Sequence, residues 1–257
     1  NGVNAKMLSG DEVRAMEPAA RPEVLGGLYT PDDAHFTPDR FVRNLARLAE
    51  NKGVAIHTQT EVLGFETSGK RVALVKTTRG DFLFDQMIMA AGSWSPTVVR
   101  DLKLHIPIQP AKGYSVTVKR PATAPAIPLS LSESRVIATP MISEQGGTLR
   151  FAGTLELAGL DFSINRRRVN AIIRAARTYL RGLEDLEMVE IWRGLRPCTP
   201  DGLPIIGRAS SFDNVIIATG HAMLGMSLGP ITGKLVSQIA CGEEPEMDVR
   251  PLRAERF

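Results

Sequence analysis

Two continuous apolar runs that each end in glycine constrain the fold of this chain more than any other feature of its sequence. The first runs from Gln86 to Gly92, and the second runs from Val215 to Gly220. An uninterrupted apolar run of this length is typical of a parallel strand covered on both faces, because a solvated face would carry alternating polar residues. We therefore predict a central parallel strand over 86–92 and a second buried strand over 215–219.

Much of the remaining sequence has the alternation of antiparallel strands. Residues 61–85 predict a β-meander that turns at Gly69 and Gly80. Residues 26–29 predict a short strand or a turn, and residues 54–56 predict a buried strand. Another strand is predicted over 107–117, and several short ones over 129–157 with a hairpin at Gly146-Gly147.

Helices are predicted where capping signals precede apolar residues at helical spacing. Ser9 with Glu12 three residues later forms a capping box, and Thr37-Pro38 opens a second helix that Gly53 closes. Residues 165–183 predict a third helix, and a last helix is predicted over 230–240, entered through Gly229. Together these elements indicate two intertwined parts, one α/β and one built on an antiparallel sheet.

Composition excludes several classes of protein. The chain has 257 residues, a formal net charge of +3 and 43% hydrophobic residues, as in ordinary globular domains. No basic stripe with interleaved aromatic residues is present, which disfavours nucleic-acid binding. The basic run Arg166–Arg168 fits either a solvated helix face or an anionic partner. Two cysteines and no secretory or membrane-spanning segment favour a reducing, cytoplasmic location.

Arg196 is the first candidate binding residue. It stands in Gly-Leu-Arg-Pro between Pro197 and Pro200, on stiff backbone. A guanidinium held in this way can donate two parallel hydrogen bonds to a carboxylate. The alternative is a structural salt bridge to Asp201 or to a nearby glutamate.

The segment from Gly220 to Gly229 is the second candidate. Its three glycines let the backbone approach a flat ligand, and the predicted helix beyond it presents free N–H groups and a positive dipole end. The alternative is a glycine-rich crossover without a ligand.

Other motifs indicate less. His221 and His35 fit acid–base groups or structural histidines, and Tyr114 fits a site residue or core packing. No metal-ligand spacing and no Gly-x-Ser-x-Gly elbow is present. No two glycines are separated by a single residue, so the Gly-x-Gly-x-x-Gly dinucleotide fingerprint is absent from these 257 residues. A pyrophosphate site of that kind would lie outside this polypeptide.

An ordered set of motifs resembles the FAD-dependent D-amino acid oxidase and dehydrogenase superfamily, over its C-terminal two-thirds. The similarity is greatest to the bacterial D-amino acid dehydrogenase small subunit and to glycine-oxidase-like proteins. The motifs that carry the resemblance are Gly26–Leu28, Asp33–Pro38, Thr60–Val62, Ala90–Ser95, Pro110–Tyr114, Gly194–Pro197 with Thr199–Gly202, and Thr219–Pro230.

The resemblance implies an α/β (α+β) fold in which a partial FAD-binding three-layer domain is interleaved with an antiparallel-sheet substrate domain. We expect residues 1–35 and 101–195 in the substrate domain, 36–100 and 196–245 in the FAD domain, and 246–257 as a tail. The chain begins without methionine and lacks the family's dinucleotide fingerprint, so we expect a segment of a longer enzyme that binds FAD poorly by itself.

The resemblance also implies roles for individual residues. Arg196 binds the substrate carboxylate, and Tyr114, His35 and Met223 lie towards the substrate. The residues implied on the FAD side are Val62 at the adenine, Ala91, Gly92 and Trp94 at the pyrophosphate and ribose, and Gly220, His221, Leu224, Gly225, Met226 and Ser227 at the flavin pyrimidine edge. Ala222–Leu224 are apolar, which disfavours a small polar substrate.

The implied activity is oxidative deamination of an amino acid by hydride transfer from Cα to FAD, with oxygen, a quinone or a partner subunit as electron acceptor. Two alternatives stay open. One is a subunit of a hetero-oligomeric opine, hydroxyproline or cyanide-forming glycine dehydrogenase, and the other is a flavin-free, non-catalytic module. Peripheral contact with the inner face of a membrane is compatible with either enzyme.

Overall fold

The computed structural model describes residues 2–141 and 147–257, which divide into two compact units. The first comprises Asn1–Arg43, Lys112–Glu156 and Asp161–Gly194, and the second comprises Asn44–Ala111, Leu157–Leu160 and Leu195–Phe257. In chain order the elements are β1 (Lys6–Ser9), α1 (Gly10–Met16), β2 (Gly26–Tyr29), α2 (Pro38–Glu50), β3 (Val62–Ser68), β4 (Arg71–Thr77), β5 (Gly80–Leu83), β6 (Met87–Met89), α3 (Ser95–Val98), β7 (Gln109–Lys119), β8 (Leu129–Leu131), β9 (Val136–Met141), β10 (Thr148–Glu156), α4 (Arg166–Tyr179), β11 (Met188–Cys198), β12 (Ile205–Arg208), β13 (Val215–Thr219) and α5 (Gly225–Cys241).

The first unit is built around a five-stranded sheet in the order β11-β7-β10-β9-β8. Phe151 of β10 stands opposite Val116 of β7 and Ala138 of β9, and all three are fully buried. Because side chains alternate along a strand, one face of β10 is buried against Ile172 and its neighbours on α4. This packing provides the hydrophobic core of the unit.

Local signals set the helix starts in the first unit. The predicted capping box is confirmed: the Glu12 amide donates to Ser9 Oγ at 3.3 Å, and the Ser9 amide donates to Glu12 Oε2 at 2.8 Å. The Asn165 side chain caps α4 by accepting from the amides of Arg167 and Arg168. This helix ends at Tyr179 rather than at 183, because Leu180 is extended and bridges to Ala20.

The second unit holds a three-stranded sheet in the order β12-β13-β6 and the three-stranded meander β3-β4-β5. The predicted meander is confirmed, and β6 is parallel to β13, as the two apolar runs predict. The Asn214 side chain joins the two sheets, since it accepts from the Val72 amide at 3.0 Å and donates to the Val72 carbonyl at 2.8 Å.

Three sequence predictions in this unit are wrong. β6 is an edge strand of its described sheet, and its Ile88 is 49% exposed, so β13 is the central strand. Residues 54–56 form no strand, and Val54 and Ile56 are 52% and 43% exposed. An apolar run becomes a buried strand only where other elements pair with it and cover it, and the described part of the chain provides neither for these residues.

The third error concerns α5, which begins at Gly225 and not at Pro230. A proline usually marks the first turn, because its missing N–H costs nothing there. Here Pro230 lies inside the helix, and the buried side chains of Leu235, Val236 and Ile239 hold the helix in place. The predicted hairpin at Gly146-Gly147 involves residues outside the described ranges.

The fold-class prediction is confirmed. The structure is mixed α/β with antiparallel sheets.

Candidate functional site

The carboxyl ends of the two parallel strands lie at one edge of the second unit's sheet. Strand β6 leads through Ala91 into Gly92, and β13 leads directly into Gly220. Both glycines have positive φ, 53° and 80°, which lets the chain turn sharply away from the sheet. In open α/β sheets, ligands bind outside the carboxyl ends of the strands.

Two buried hydroxyls connect these strand ends. Ser95 Oγ and Thr219 Oγ1 lie 2.9 Å apart and lie 2.7 and 3.3 Å from the carbonyl oxygen of Gly92. Ser95 is fully buried, and Thr219 is 2% exposed. The pair fixes the Gly92 turn relative to Gly220. Neither residue is assigned a role from the sequence alone: Thr219 directly precedes Gly220, whereas Ser95 follows Gly92 by three residues.

Arg196 lies near the end of β11 and is half-buried. Burial lowers the pKa of its guanidinium, although arginine stays protonated in proteins. Cys198 lies on the same face of the strand, two residues along, and burial raises the pKa of its thiol while the charge of Arg196 opposes that rise. Of the alternative partners proposed for Arg196, which are Asp201 and a nearby glutamate, Asp201 pairs with the guanidinium of Arg256 at 2.7 Å.

The Gly220 loop is hydrogen-bonded to the strand that carries Arg196. The Ala222 amide donates to the Pro197 carbonyl at 3.0 Å, and Cys198 bridges His221 in antiparallel fashion. Ser93 Oγ also donates to the Leu195 carbonyl at 3.2 Å. The Gly92 turn, the Arg196 strand and the Gly220 loop therefore form one hydrogen-bonded arrangement.

The helix that follows this loop has an open amino end. Leu224 stands at the N-cap without a capping side chain, so Gly225, Met226 and Ser227 present their amides in the first turn of α5. Met223 and Leu224 are 70% and 58% exposed beside it. A helix end of this kind attracts negative charge, as the sequence predicts, although it begins five residues earlier than predicted.

His221 packs against the same helix. Its Nε2 lies 2.8 Å from Thr232 Oγ1, and its ring is half-buried. Burial lowers the pKa of the imidazole and therefore favours its neutral form.

The residues that the resemblance implies at the adenosine side also belong to the second unit. Val62 opens β3 opposite Thr77 and is 38% exposed. Ala91 is half-buried, and Trp94 is 45% exposed in the turn after Gly92.

Tyr114 and His35 belong to the first unit. Tyr114 is 1% exposed, and its hydroxyl donates to Glu156 at 3.0 Å and accepts from the Asn165 amide at 3.2 Å. These are the contacts of the core-packing alternative. The His35 ring is exposed and donates from Nε2 to the Pro140 carbonyl at 3.2 Å. Substrate contacts for both residues stay predictions.

A buried cation lies beside Tyr114. Lys112 is fully buried, and its Nζ forms a close ion pair with Asp161, donates to the Ser163 carbonyl at 3.1 Å and lies 3.8 Å from Glu156. The Lys112 ammonium holds the pKa of the Asp161 carboxyl well below its ordinary value. This cluster anchors the segment that leads into α4.

Residues 2–141 and 147–257 contain no group of three or more His, Cys, Asp or Glu side chains that could hold a metal ion. No helix in these ranges is both long and apolar enough to span a lipid bilayer.

A family model described as FAD dependent oxidoreductase matches residues 1–239. The chain belongs to this family of FAD-dependent oxidoreductases. Its relatives include a D-amino acid dehydrogenase of Paramagnetospirillum magneticum, 37% identical over 251 residues that make up 96% of this chain and 58% of the relative. A D-amino acid dehydrogenase of Cereibacter sphaeroides is 35% identical, covering all of this chain and 59% of the relative.

Two solved structures have the same fold as this chain. Glycine oxidase from Geobacillus kaustophilus superposes with a TM-score of 0.88 at 25% identity, covering all of this chain and 68% of that structure. L-proline dehydrogenase from P. horikoshii superposes with a TM-score of 0.88 at 23% identity, again over the whole chain and 69% of that structure, which shows the shared fold alone. The chain spans about three-fifths of the length of the curated relatives it matches.

Proposed function

We propose that this chain carries the carboxylate-binding and flavin-ring part of an FAD-dependent enzyme that oxidatively deaminates an amino acid. One observation carries the proposal. The half-buried cation of Arg196 lies on a strand that is hydrogen-bonded, through Pro197 and Ala222, to a loop ending at an uncapped helix amino terminus. This hydrogen bond connects a carboxylate-binding residue to a site for a carbonyl-rich ring.

The residues at the helix end fit the edge of a flavin. The first-turn amides of α5 lack a capping side chain, and Gly220 lets the backbone pass close to a planar ligand. We assign Gly220, His221, Leu224, Gly225, Met226 and Ser227 to this edge, and Val62, Ala91, Gly92 and Trp94 to the adenosine and pyrophosphate side. FAD, when bound, supplies the acceptor for the hydride that leaves the substrate Cα.

The protein's own residues position the substrate. Arg196 fixes the position and angle of the substrate carboxylate, because a guanidinium donates two parallel hydrogen bonds. Met223 and Leu224 are exposed apolar residues on the loop that is hydrogen-bonded to the Arg196 strand, and their apolar surface favours substrates with an apolar side chain. His221, kept neutral by burial, holds the loop through Thr232 and adds no charge.

We also propose that residues 1–35 and 101–195 bind the substrate, with Tyr114 and His35 on that side, and that 36–100 and 196–245 contact FAD. The two compact units support this assignment, because they group the antiparallel sheet apart from the parallel strands. The relatives named D-amino acid dehydrogenase favour a D-amino acid as substrate.

The test uses the full-length gene product purified with its FAD. A panel of D- and L-amino acids is assayed by loss of the oxidised flavin absorbance without oxygen, then by oxygen uptake and by quinone reduction to identify the acceptor. Arg196→Ala should raise KM roughly 10- to 150-fold, since a hydrogen-bonded charged group contributes about 1.5–3 kcal/mol. The KM of Arg196→Lys should lie between those of the wild type and Arg196→Ala, because lysine keeps the positive charge but cannot donate two parallel hydrogen bonds.

Arg193→Ala on the same strand is the matched control, since its Nε is bonded to the Phe162 carbonyl at 2.8 Å and its side chain lies on the opposite face. Equal kinetics for Arg196→Ala and the wild type would refute the carboxylate assignment. A colourless protein that cannot be loaded with FAD would favour the flavin-free module. A second polypeptide required for turnover would favour the hetero-oligomeric dehydrogenase.

A further inference from the structure

The last arginine of the chain is bonded to a turn beside the candidate site. Arg256 donates from Nε and from a terminal guanidinium nitrogen to the two carboxylate oxygens of Asp201, at 2.7 and 3.1 Å. The same terminal nitrogen donates to the Leu203 carbonyl at 2.8 Å. The Arg256 side chain is 14% exposed, and its charge holds the pKa of Asp201 at about 2. Such a paired, partly desolvated contact is stronger than an ordinary surface ion pair.

The turn from Thr199 to Leu203 depends on this contact for part of its order. Thr199 Oγ1 donates to the Leu203 carbonyl at 2.8 Å, and the Leu203 amide donates to Asp201 Oδ1 at 3.0 Å. Gly202 takes a φ of 78°. Arg256 therefore engages the same carboxylate and the same carbonyl that close the turn.

The turn from Thr199 to Leu203 supports both Arg196 and the Gly220 loop. It directly follows the strand of Arg196, and the methyl group of Thr199 lies against Gly220, so that a Cβ placed on that glycine would come within 2.7 Å of it. On the other side, the Pro197 carbonyl accepts from the Ala222 amide. Movement of the turn would therefore disturb the placement of the Gly220 loop relative to Arg196.

We propose that Arg256 is a positioning residue: by holding Asp201 and Leu203, the carboxyl-terminal segment fixes the relative placement of Arg196 and the Gly220 loop. The kinetic part of this inference rests on the proposed function, whereas its structural part does not. Arg256 acts through the turn from Thr199 to Leu203 and not through a contact with substrate or cofactor.

The first test measures hydrogen exchange by mass spectrometry on the full chain. Arg256→Ala should speed exchange roughly tenfold or more in segments 199–203 and 220–224, because loss of a charge-assisted pair opens the turn. Arg256→Lys, which keeps the charge and most of the side-chain packing, should give an intermediate increase and covers the case in which the alanine variant does not fold. Arg250→Ala is the matched control, since Arg250 pairs with Asp248 in the same segment and is 84% exposed. It should leave both segments unchanged.

The second test measures KM and kcat in the full-length, FAD-loaded protein. Arg256→Ala should raise KM for the amino acid by roughly three- to tenfold with a smaller change in kcat, and Arg256→Lys should recover part of the loss. A purely structural contact would lower the amount of active protein without changing KM.

The proposal is overturned if exchange rises only within 250–257 and 199–203 while 220–224 and KM stay at wild-type values. It is also overturned if Arg250→Ala has the same effect as Arg256→Ala. If the enzyme turns over no amino acid, the proposed function fails, yet the exchange experiment still decides whether Arg256 orders the loop.

Discussion

Gly220 is the position where a single methyl group should perturb the site most. It has a φ of 80°, and an added Cβ would lie 2.7 Å from Thr199 Cγ2 and 3.3 Å from Ile108 Cδ1. A left-handed backbone costs a non-glycine residue about 1–2 kcal/mol, and overpacking a tight site adds about 1–3 kcal/mol. The reduced entropy of the unfolded chain returns about 0.4–1 kcal/mol. We therefore expect Gly220→Ala to lower the free energy of unfolding by about 1–5 kcal/mol.

Gly233→Ala is the matched control, because the same substitution there should have the opposite sign. Gly233 lies inside α5, is not followed by proline, and an added Cβ would meet no atom within 4 Å beyond its chain neighbours and the helix backbone. Alanine is a better helix former than glycine by about 0.5–1 kcal/mol, so this variant should be stabilised by that amount.

The assay is urea and thermal unfolding followed by circular dichroism. At about 2–4 °C for each kcal/mol, Gly220→Ala should lower Tm by roughly 2–20 °C, and Gly233→Ala should raise it slightly. A wild-type Tm for Gly220→Ala, or an equal loss of stability in Gly233→Ala, would refute this prediction.

Three other predictions follow from buried or charged groups in the second unit. Asn214→Ala should lower the free energy of unfolding in urea by about 3–5 kcal/mol, because the N–H and C=O of Val72 lose their hydrogen bonds to the Asn214 side chain. Asn214 is 1% exposed, so water cannot replace these bonds. Asn51 is exposed, and Asn51→Ala should change the stability little. The pKa of Asp201, about 2, lies below its value in the unfolded chain. The contribution of this carboxylate to stability is therefore present above about pH 4 and is lost as the pH falls towards 2. The Tm difference between the wild type and Asp201→Asn should shrink over that range. Burial lowers the pKa of His221, so its NMR titration should have a midpoint below about 6.5. The contribution of the neutral ring to folding stability should be lost on acidification below that pH. A titration midpoint above 6.5 would contradict the burial argument.

Two of the errors in the sequence predictions share one physical cause. The Val54–Ile56 run and β6 were both expected to be buried, yet Val54 and Ile88 are 52% and 49% exposed. Apolar periodicity reports what a segment can bury, whereas burial requires another element to cover it. For the same reason Leu45 and Leu48 on α2 have helical spacing but are each 56% exposed.

The sequence by itself determined the features that depend on neighbouring residues. The Ser9–Glu12 capping box, the meander turns at Gly69 and Gly80, and the glycines that end β6 and β13 are local, since a cap or a sharp turn is specified within a few residues. The motif order that assigns the chain to the FAD-dependent oxidoreductases is likewise read along the sequence.

Only the tertiary structure decided which distant side chains meet. Arg256 reaches Asp201 across 55 residues, and Lys112 reaches Asp161 across 49. Such pairs have no sequence signal, because charged residues are common and their partners are selected by how the strands and loops pack. Asp201 is one of the two alternative partners that sequence proximity suggests for Arg196, but in the fold its carboxylate pairs with Arg256, and this pair holds the turn beside Gly220.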